Sequence, residues 1–220
     1  MAKKKKILLD LNEDEIEFYF SFLNEEITDY NCGTLCSPDN NGIPYCCTAE
    51  HAVPLLYKAE FSYLKKKGDL WSKWIPVTRD DKEIAETADV DQVFCECKGV
   101  EHCIREQRSI SCRTFPLEPY IDRRGAFIGL TFLEDFMEKD PDTGKIKCPL
   151  TKKPKDIRQE FVDSHYIFWE KIMFRRTDEY ETYEDSSKDL RKNLKKHGSK
   201  FTVLFPSHLK DSKYAKEYMY

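Results

Sequence analysis

Ile16, Phe20, Leu23 and Ile27 recur every three to four positions, the spacing of one helical face. Asn12 ahead of Glu13, Asp14 and Glu15 adds an N-cap and an acidic first turn, which suits the positive end of a helix dipole. Together they predict a helix over residues 13–29, with Ile16, Phe18, Phe20 and Phe22 also compatible with a strand. A second helix is predicted over 53–67, where Leu55, Leu56, Ala59, Phe61, Tyr63 and Leu64 run up to Gly68, a natural helix stop.

Further along, the apolar stretch from Gly125 to Leu133 is partly aromatic and β-branched, and Asp140 to Gly144 has turn chemistry ahead of Lys145 to Pro149. These segments predict a small hairpin. Asp140 and Asp142 evoke a calcium loop, but the other ligands and the closing Glu are missing, so a plain turn is expected. Ile157, Phe161, His165, Phe168, Trp169 and Ile172 follow a 3.6-residue period and predict a core helix over 156–175, with His165 at the core or its rim. A strongly charged helix is expected over 178–196, with Gly198 as its stop and 201–205 as a short strand. The fold class expected is α+β and mostly helical, with an irregular cysteine-lined core, a small β-hairpin and C-terminal helices. The organisation expected is a helical lead-in over 1–29, a cysteine-cluster region over 30–150 and a helical extension over 151–220.

Composition narrows the function classes. Among 220 residues, 40% are hydrophobic and 35% charged, so the chain is expected to be soluble with a modest core rich in aromatics. The longest apolar runs span only a few residues, far short of the roughly 20 that a membrane-spanning helix needs. Lys3 to Lys6 precede only three apolar residues before Asp10, too few for a signal peptide, so a reducing cytoplasmic setting is expected. A net charge of -4 argues against electrostatic coating of nucleic acid, and the basic stretch 192–200 is read as a solvated helix end.

In a reducing compartment the 9 cysteines point to metal or redox chemistry rather than to disulfides. All lie between Cys32 and Cys148. Cys32-Gly-Thr-Leu-Cys36 places two thiols across a turn that can aim both sulfurs at one point, and the adjacent pair Cys46-Cys47 follows after a polar loop. The second group comprises Cys95, Cys97, Cys103 and Cys112, with Cys148 as a later singleton. Soft thiolates favour zinc or iron-sulfur clusters over hard cations. His51 and His102 lie near cysteines and are expected to face solvent or to support the ligands. Phosphate-loop, serine-hydrolase and His-Glu-x-x-His signatures are absent.

Cys32, Cys36 and Cys46-Cys47 ahead of an apolar segment, followed by Cys97, Cys103, Arg108 and Cys112-Arg-Thr-Phe-Pro116, resemble the YkgJ-like cysteine-cluster family. That family is described as zinc- or iron-chelating. The resemblance covers residues 30–120 and is most specific in its closing Cys-Arg-x-x-Pro. The family's Arg-Pro step is Arg108-Ser109 here, and the interval from Cys103 to Cys112 is one residue short. Cys97 is favoured over Cys95 because it lies closer to Cys103. The metal-ligand candidates are therefore Cys32, Cys36, Cys46, Cys47, Cys97, Cys103, Cys112 and Cys148. Arg108 and Arg113 are placed beside the thiolates, whose charge they would offset, or stacked on Phe115 or Tyr120.

The function expected is a cytoplasmic zinc- or iron-chelating protein whose metal is mainly structural, the metal ion being its expected partner. An iron-sulfur enzyme is the alternative that the resemblance implies, because some longer relatives are lysine N-methylases acting on flagellin. An adaptor using the charged tail with Tyr180, Tyr183, Tyr214, Tyr218 and Tyr220 is a third reading.

Overall fold

The Asn12 side chain accepts the Glu15 N–H at 3.0 Å while Glu15 accepts that of Asn12 at 3.1 Å, so the first helix starts with two otherwise orphaned donors satisfied. This is seen in a computed structural model that describes residues 11–48, 53–197, 201–213 and 215. Helix α1 (Glu13–Phe20) buries Ile16, Tyr19 and Phe20 and tightens into a 3-10 turn at Ser21–Leu23. It is shorter than the predicted 13–29. The Ser21 hydroxyl bonds back to the Phe18 carbonyl at 2.6 Å, and the chain beyond Asn24 joins a different part of the molecule.

The chain forms two compact units: one is built from Asp10–Asn24 and Gly33–Phe115, the other from Glu25–Cys32 and the chain from Pro116 onward. In the first unit, strand β1 (Leu55–Tyr57) leads directly into α2 (Lys58–Lys67). Residues 53–67 therefore split into strand and helix, correcting the single helix predicted there. Strand β2 (Trp71–Lys73), helix α3 (Arg79–Ala85), strand β3 (Gln92–Cys97) and helix α4 (Ile110–Thr114) follow. The sheet has the order β1-β3-β2 with antiparallel neighbours, Leu55 facing Phe94 and Trp71 facing Cys97. Helices α1 and α2 meet through Phe20 and Tyr63, whose rings lie 5.5 Å apart.

Two long-range contacts hold the irregular chain that follows β3. Trp71 donates its indole N–H to the Gln107 carbonyl at 2.6 Å. Glu60, 1% exposed, accepts the Ile110 N–H at 2.6 Å and the Tyr57 N–H at 3.3 Å. One carboxylate thereby serves the starts of both α2 and α4, where unpaired N–H groups favour negative charge.

The second unit begins with β4 (Leu117–Ile121) and β5 (Phe127–Phe132), continues through α5 (Glu134–Met137), α6 (Gln159–Arg175) and α7 (Thr177–His197), and adds β6 (Val203–Leu204). Its sheet order is β4-β5-β6. The hairpin exists, but its pairing corrects the prediction: β5 turns back onto β4 through residues 122–126, and residues 139–146 contribute only an isolated bridge. Pro119 is tolerated because β4 is an edge strand. Asp122 closes the hairpin by accepting the N–H groups of Arg124 and Ala126 at 2.8 and 2.9 Å, and Gly125 supplies the left-handed turn residue at φ +81°. At the other turn, the Asp140 carboxylate accepts from the backbone of Asp142 and Thr143, the plain turn that was expected.

Helices α6 and α7 are separated by Arg176 alone, whose guanidinium is buried against Asp178 at 2.7 Å. His165 is fully buried, with Nδ1 2.9 Å from the Phe161 carbonyl. Tyr120, Ile128, Leu190, Val203 and Phe205 form a core cluster between sheet and helices. Gly198, expected to stop α7, lies outside the described residues, and the strand expected over 201–205 is reduced to β6. The architecture is α+β and mostly helical, and among the described residues no helix is long and apolar enough to cross a membrane.

A side chain at Gly129 would place its Cβ 2.4 Å from the Leu204 carbonyl oxygen, a backbone atom that can withdraw only by opening β5 from β6. Gly129→Ala is therefore expected to destabilise the second unit by about 1–3 kcal/mol, read as a lower urea midpoint for the fluorescence of Trp169 on α6.

Candidate metal centre

Each thiol's position follows from local backbone chemistry. Pro44 precedes a 3-10 turn at Tyr45–Cys47, anchored by the buried Tyr45 ring, and the turn carries the adjacent pair Cys46 and Cys47 with sulfurs 4.0 Å apart. In β3, Cys95 and Cys97 are two residues apart and so share a face, and what separates them is position along the strand. Cys95 is fully buried, its thiol pointing to the Val93 carbonyl at 3.7 Å, whereas Cys97 is exposed at the strand's end. Gly99, at φ +93°, then allows the turn Val100–His102 that delivers Cys103. Ser109 caps α4 by accepting the Cys112 N–H at 3.2 Å, so Cys112 sits in that helix's first turn.

Cys47, Cys97, Cys103 and Cys112 come from three separate stretches of one unit and lie close enough to influence one another's ionisation. Cys36, with its sulfur 3.6 Å from the Gly33 carbonyl, lies within electrostatic reach of Cys47. Cys32 and Cys148 belong to the other unit. Both lie near Tyr30, whose hydroxyl donates to Asp156 at 2.6 Å and is pushed up to about 12, chiefly by that hydrogen bond. His51 lies outside the described residues and His102 is exposed. Among the described residues, no group of three or more His, Cys, Asp or Glu side chains is arranged as a metal-ligand set.

The two arginines do different work. Arg108 donates its Nε–H to the Cys103 sulfur at 3.4 Å and lies near Cys47. Arg113 is 8% exposed and turns to the backbone instead. Its guanidinium donates to the carbonyls of Leu23, Arg105, Glu106 and Arg108 and to the Asn24 side chain, at 3.0–3.3 Å. It also stacks on Phe20, with 4.7 Å between guanidinium carbon and ring centroid. Glu60 and Asn24 had no signature in the sequence as supports of this region, because their roles depend on partners 50 and 89 positions away.

The thiols differ in proton affinity. Burial pushes Cys112 up to about 12, and raises Cys97 and Cys36 as well. Cys95 is likewise pushed up to about 12 by burial and the nearby Glu60. Cys47 goes the other way, down to about 7, because the Cys46 thiol hydrogen-bonds to it and Arg108 adds positive charge. In the metal-free chain the cluster therefore combines protonated thiols with one thiolate-prone sulfur, and a thiophilic ion would displace protons on binding. Comparison with protein-family models, with curated proteins and with solved structures finds no match. The resemblance to the YkgJ-like family rests on its motif residues.

Two substitutions separate scaffold from chemistry. Arg113→Ala would strand several buried carbonyls and is expected to cost about 2–4 kcal/mol, seen as a lower thermal midpoint. Cys46→Ala removes the donor to Cys47. In metal-free protein, the pH at which Cys47 is half-maximally alkylated by iodoacetamide should rise from about 7 toward the ordinary thiol range.

Proposed function

We propose that this chain is a zinc- or iron-chelating cysteine-cluster protein in which Cys47, Cys97, Cys103 and Cys112 bind the metal and the metal is mainly structural. The observation that carries this reading is the convergence of those four thiols from three stretches of one unit, with the Arg108 guanidinium beside Cys103. The donor chemistry suits a thiophilic ion. Four thiolates around a divalent ion would leave a net negative charge, and Arg108 is placed to offset part of it.

The residues contribute in distinct ways. The Cys46-Cys47 turn and the first turn of α4 present sulfurs from short, sharply bent backbone, and the end of β3 presents Cys97, exposed two residues beyond the buried Cys95. Arg113 and Glu60 hold the connecting chain whose ends are Cys97 and Cys112. A bound metal would add cross-links between segments far apart in sequence, which stabilises a fold whose local ladders are short. None of the nine cysteines is joined in a disulfide. Cys36 and Cys46 flank the four, whereas Cys32 and Cys148 lie with the other unit and are assigned no ligand role.

Protein purified without oxygen should contain stoichiometric zinc, or iron with matching sulfide and a visible absorption band. Cys103→Ser combined with Cys112→Ser should abolish that content. Chelator should lower the thermal midpoint of the wild type and leave the double variant unmoved. Metal-free wild type with unchanged stability in chelator would overturn the reading, and iron with sulfide would extend it to redox chemistry.

A further inference from the structure

Helix α7 is fastened to β4 by polar contacts of two kinds. Ser187 accepts the Ile121 N–H at 3.0 Å, and Arg191 donates to the Ile121 carbonyl at 2.6 Å and to the Tyr120 hydroxyl at 3.2 Å. These join a hydroxyl and a permanent cation to neutral groups, so ordinary changes of pH leave them intact. Ser186, by contrast, donates to the Glu118 carboxyl at 2.8 Å, and that acceptor can titrate.

Among the described residues, the groups that act on Glu118 bring it no positive charge. Its neighbours on α7 are Ser186 and the half-buried Tyr183. From α5 comes Glu134, a second carboxylate, bonded to the Asn193 amide at 3.1 Å. Across the strand pair stands Thr131, whose hydroxyl is committed to the Thr202 carbonyl at 3.0 Å. Among the described residues no cation pairs with Glu118. A carboxylate here would be desolvated and would face a like charge, both of which favour the neutral acid. Its pKa is accordingly pushed up to about 7, chiefly by burial and then by Glu134, against the opposing pull of Ser186.

We propose that the α7–β4 contact is a proton-operated latch, in which α7 is held while Glu118 keeps its proton and loosens as Glu118 ionises beside Glu134. The docked state binds the proton more tightly than the undocked one, where Glu118 is solvated. Docking is therefore strongest below the ordinary carboxylate pKa, weakens as pH rises towards 7 and changes little beyond. A loosened α7 uncovers the faces of Leu190, buried when it is docked, and of Tyr183, then half-buried. The latch shares no residue with the four proposed ligand thiols, which lie in the first unit, whereas all its groups lie in the second.

Hydrogen exchange on the full-length protein tests this. Protection of α7 amides over 180–191, corrected for intrinsic exchange and normalised to α6 peptides over 160–173, is compared at pH 5.5 and 7.5. In the wild type it should fall by about tenfold or more. In Glu118→Gln, which keeps an acceptor for Ser186 and cannot ionise, it should stay level. Glu134→Gln removes the like charge and should move the midpoint of the loss to lower pH, a result that covers the case in which Glu118→Gln fails to fold. A level wild-type profile, an undiminished fall in Glu118→Gln or an unmoved midpoint in Glu134→Gln would each overturn the latch.

Discussion

Between the end of β3 and the start of α4 the chain runs through two single 3-10 turns and otherwise lacks a backbone ladder, so its carbonyls need partners from elsewhere. Arg113 supplies them. A guanidinium offers five N–H donors in a rigid fork, and here that fork gathers carbonyls from three residues of the loop and from the end of the α1 segment. The bargain is mutual, because the carbonyl dipoles and the Phe20 ring also stabilise a cation that has lost most of its water. Glu60 meets the same loop at its far end through the Ile110 N–H. With both ends held, Arg108 reaches Cys103 and Cys112 faces its neighbours. The loop that carries Cys103 and leads to Cys112 is thus held by two buried side chains, Arg113 and Glu60.

Burial sets the resting chemistry of the cluster. Cys97 and Cys112 hold their protons more tightly than ordinary thiols, which spares the unit that much negative charge. A soft metal ion reverses that preference, since it replaces the protons and is repaid in metal–sulfur bonds. Among the thiols, Cys47 is the most readily ionised. It lies next to another thiol on an exposed turn. Cys95 has the opposite character: fully buried on the core face of its strand, it packs as a small apolar side chain.

Local signals served well where structure is local. The Asn12 cap, the α6 core stripe, the Asp140 turn and the strand character of 127–132 were all visible in the residue pattern. Partners were less visible. Leu55, Leu56 and Tyr57 continue the apolar stretch of α2, and only pairing with β3 turns them into a strand. The apolar run 127–132 fits any antiparallel partner, and the choice of 117–121 follows from the Asp122 and Gly125 turn, while Pro119 disguised the first strand. Strand periodicity puts Cys95 and Cys97 on one face, so only their positions, one within β3 and the other at its end, separate the buried cysteine from the exposed one. Glu60 and Arg113 do their work through partners distant along the chain, and motif spacing carries no record of that. Nor does it tell that Cys32 and Cys148 lie in one unit and Cys36 in the other.

The interleaving of the two units also imposes an order of events during synthesis. Residues 25–32 interrupt the first unit's sequence, yet their own partners are made much later: Ile27 waits for the Arg158 N–H, and Tyr30 for Asp156, 126 positions downstream. At ordinary translation speeds of about 5–20 residues per second, that wait lasts on the order of ten seconds. In that interval the whole cysteine-rich unit can leave the ribosome, fold and meet metal while a short polar strip is held open within it. The second unit can close only after its helices emerge, so the ribosome delivers the thiol-bearing half first.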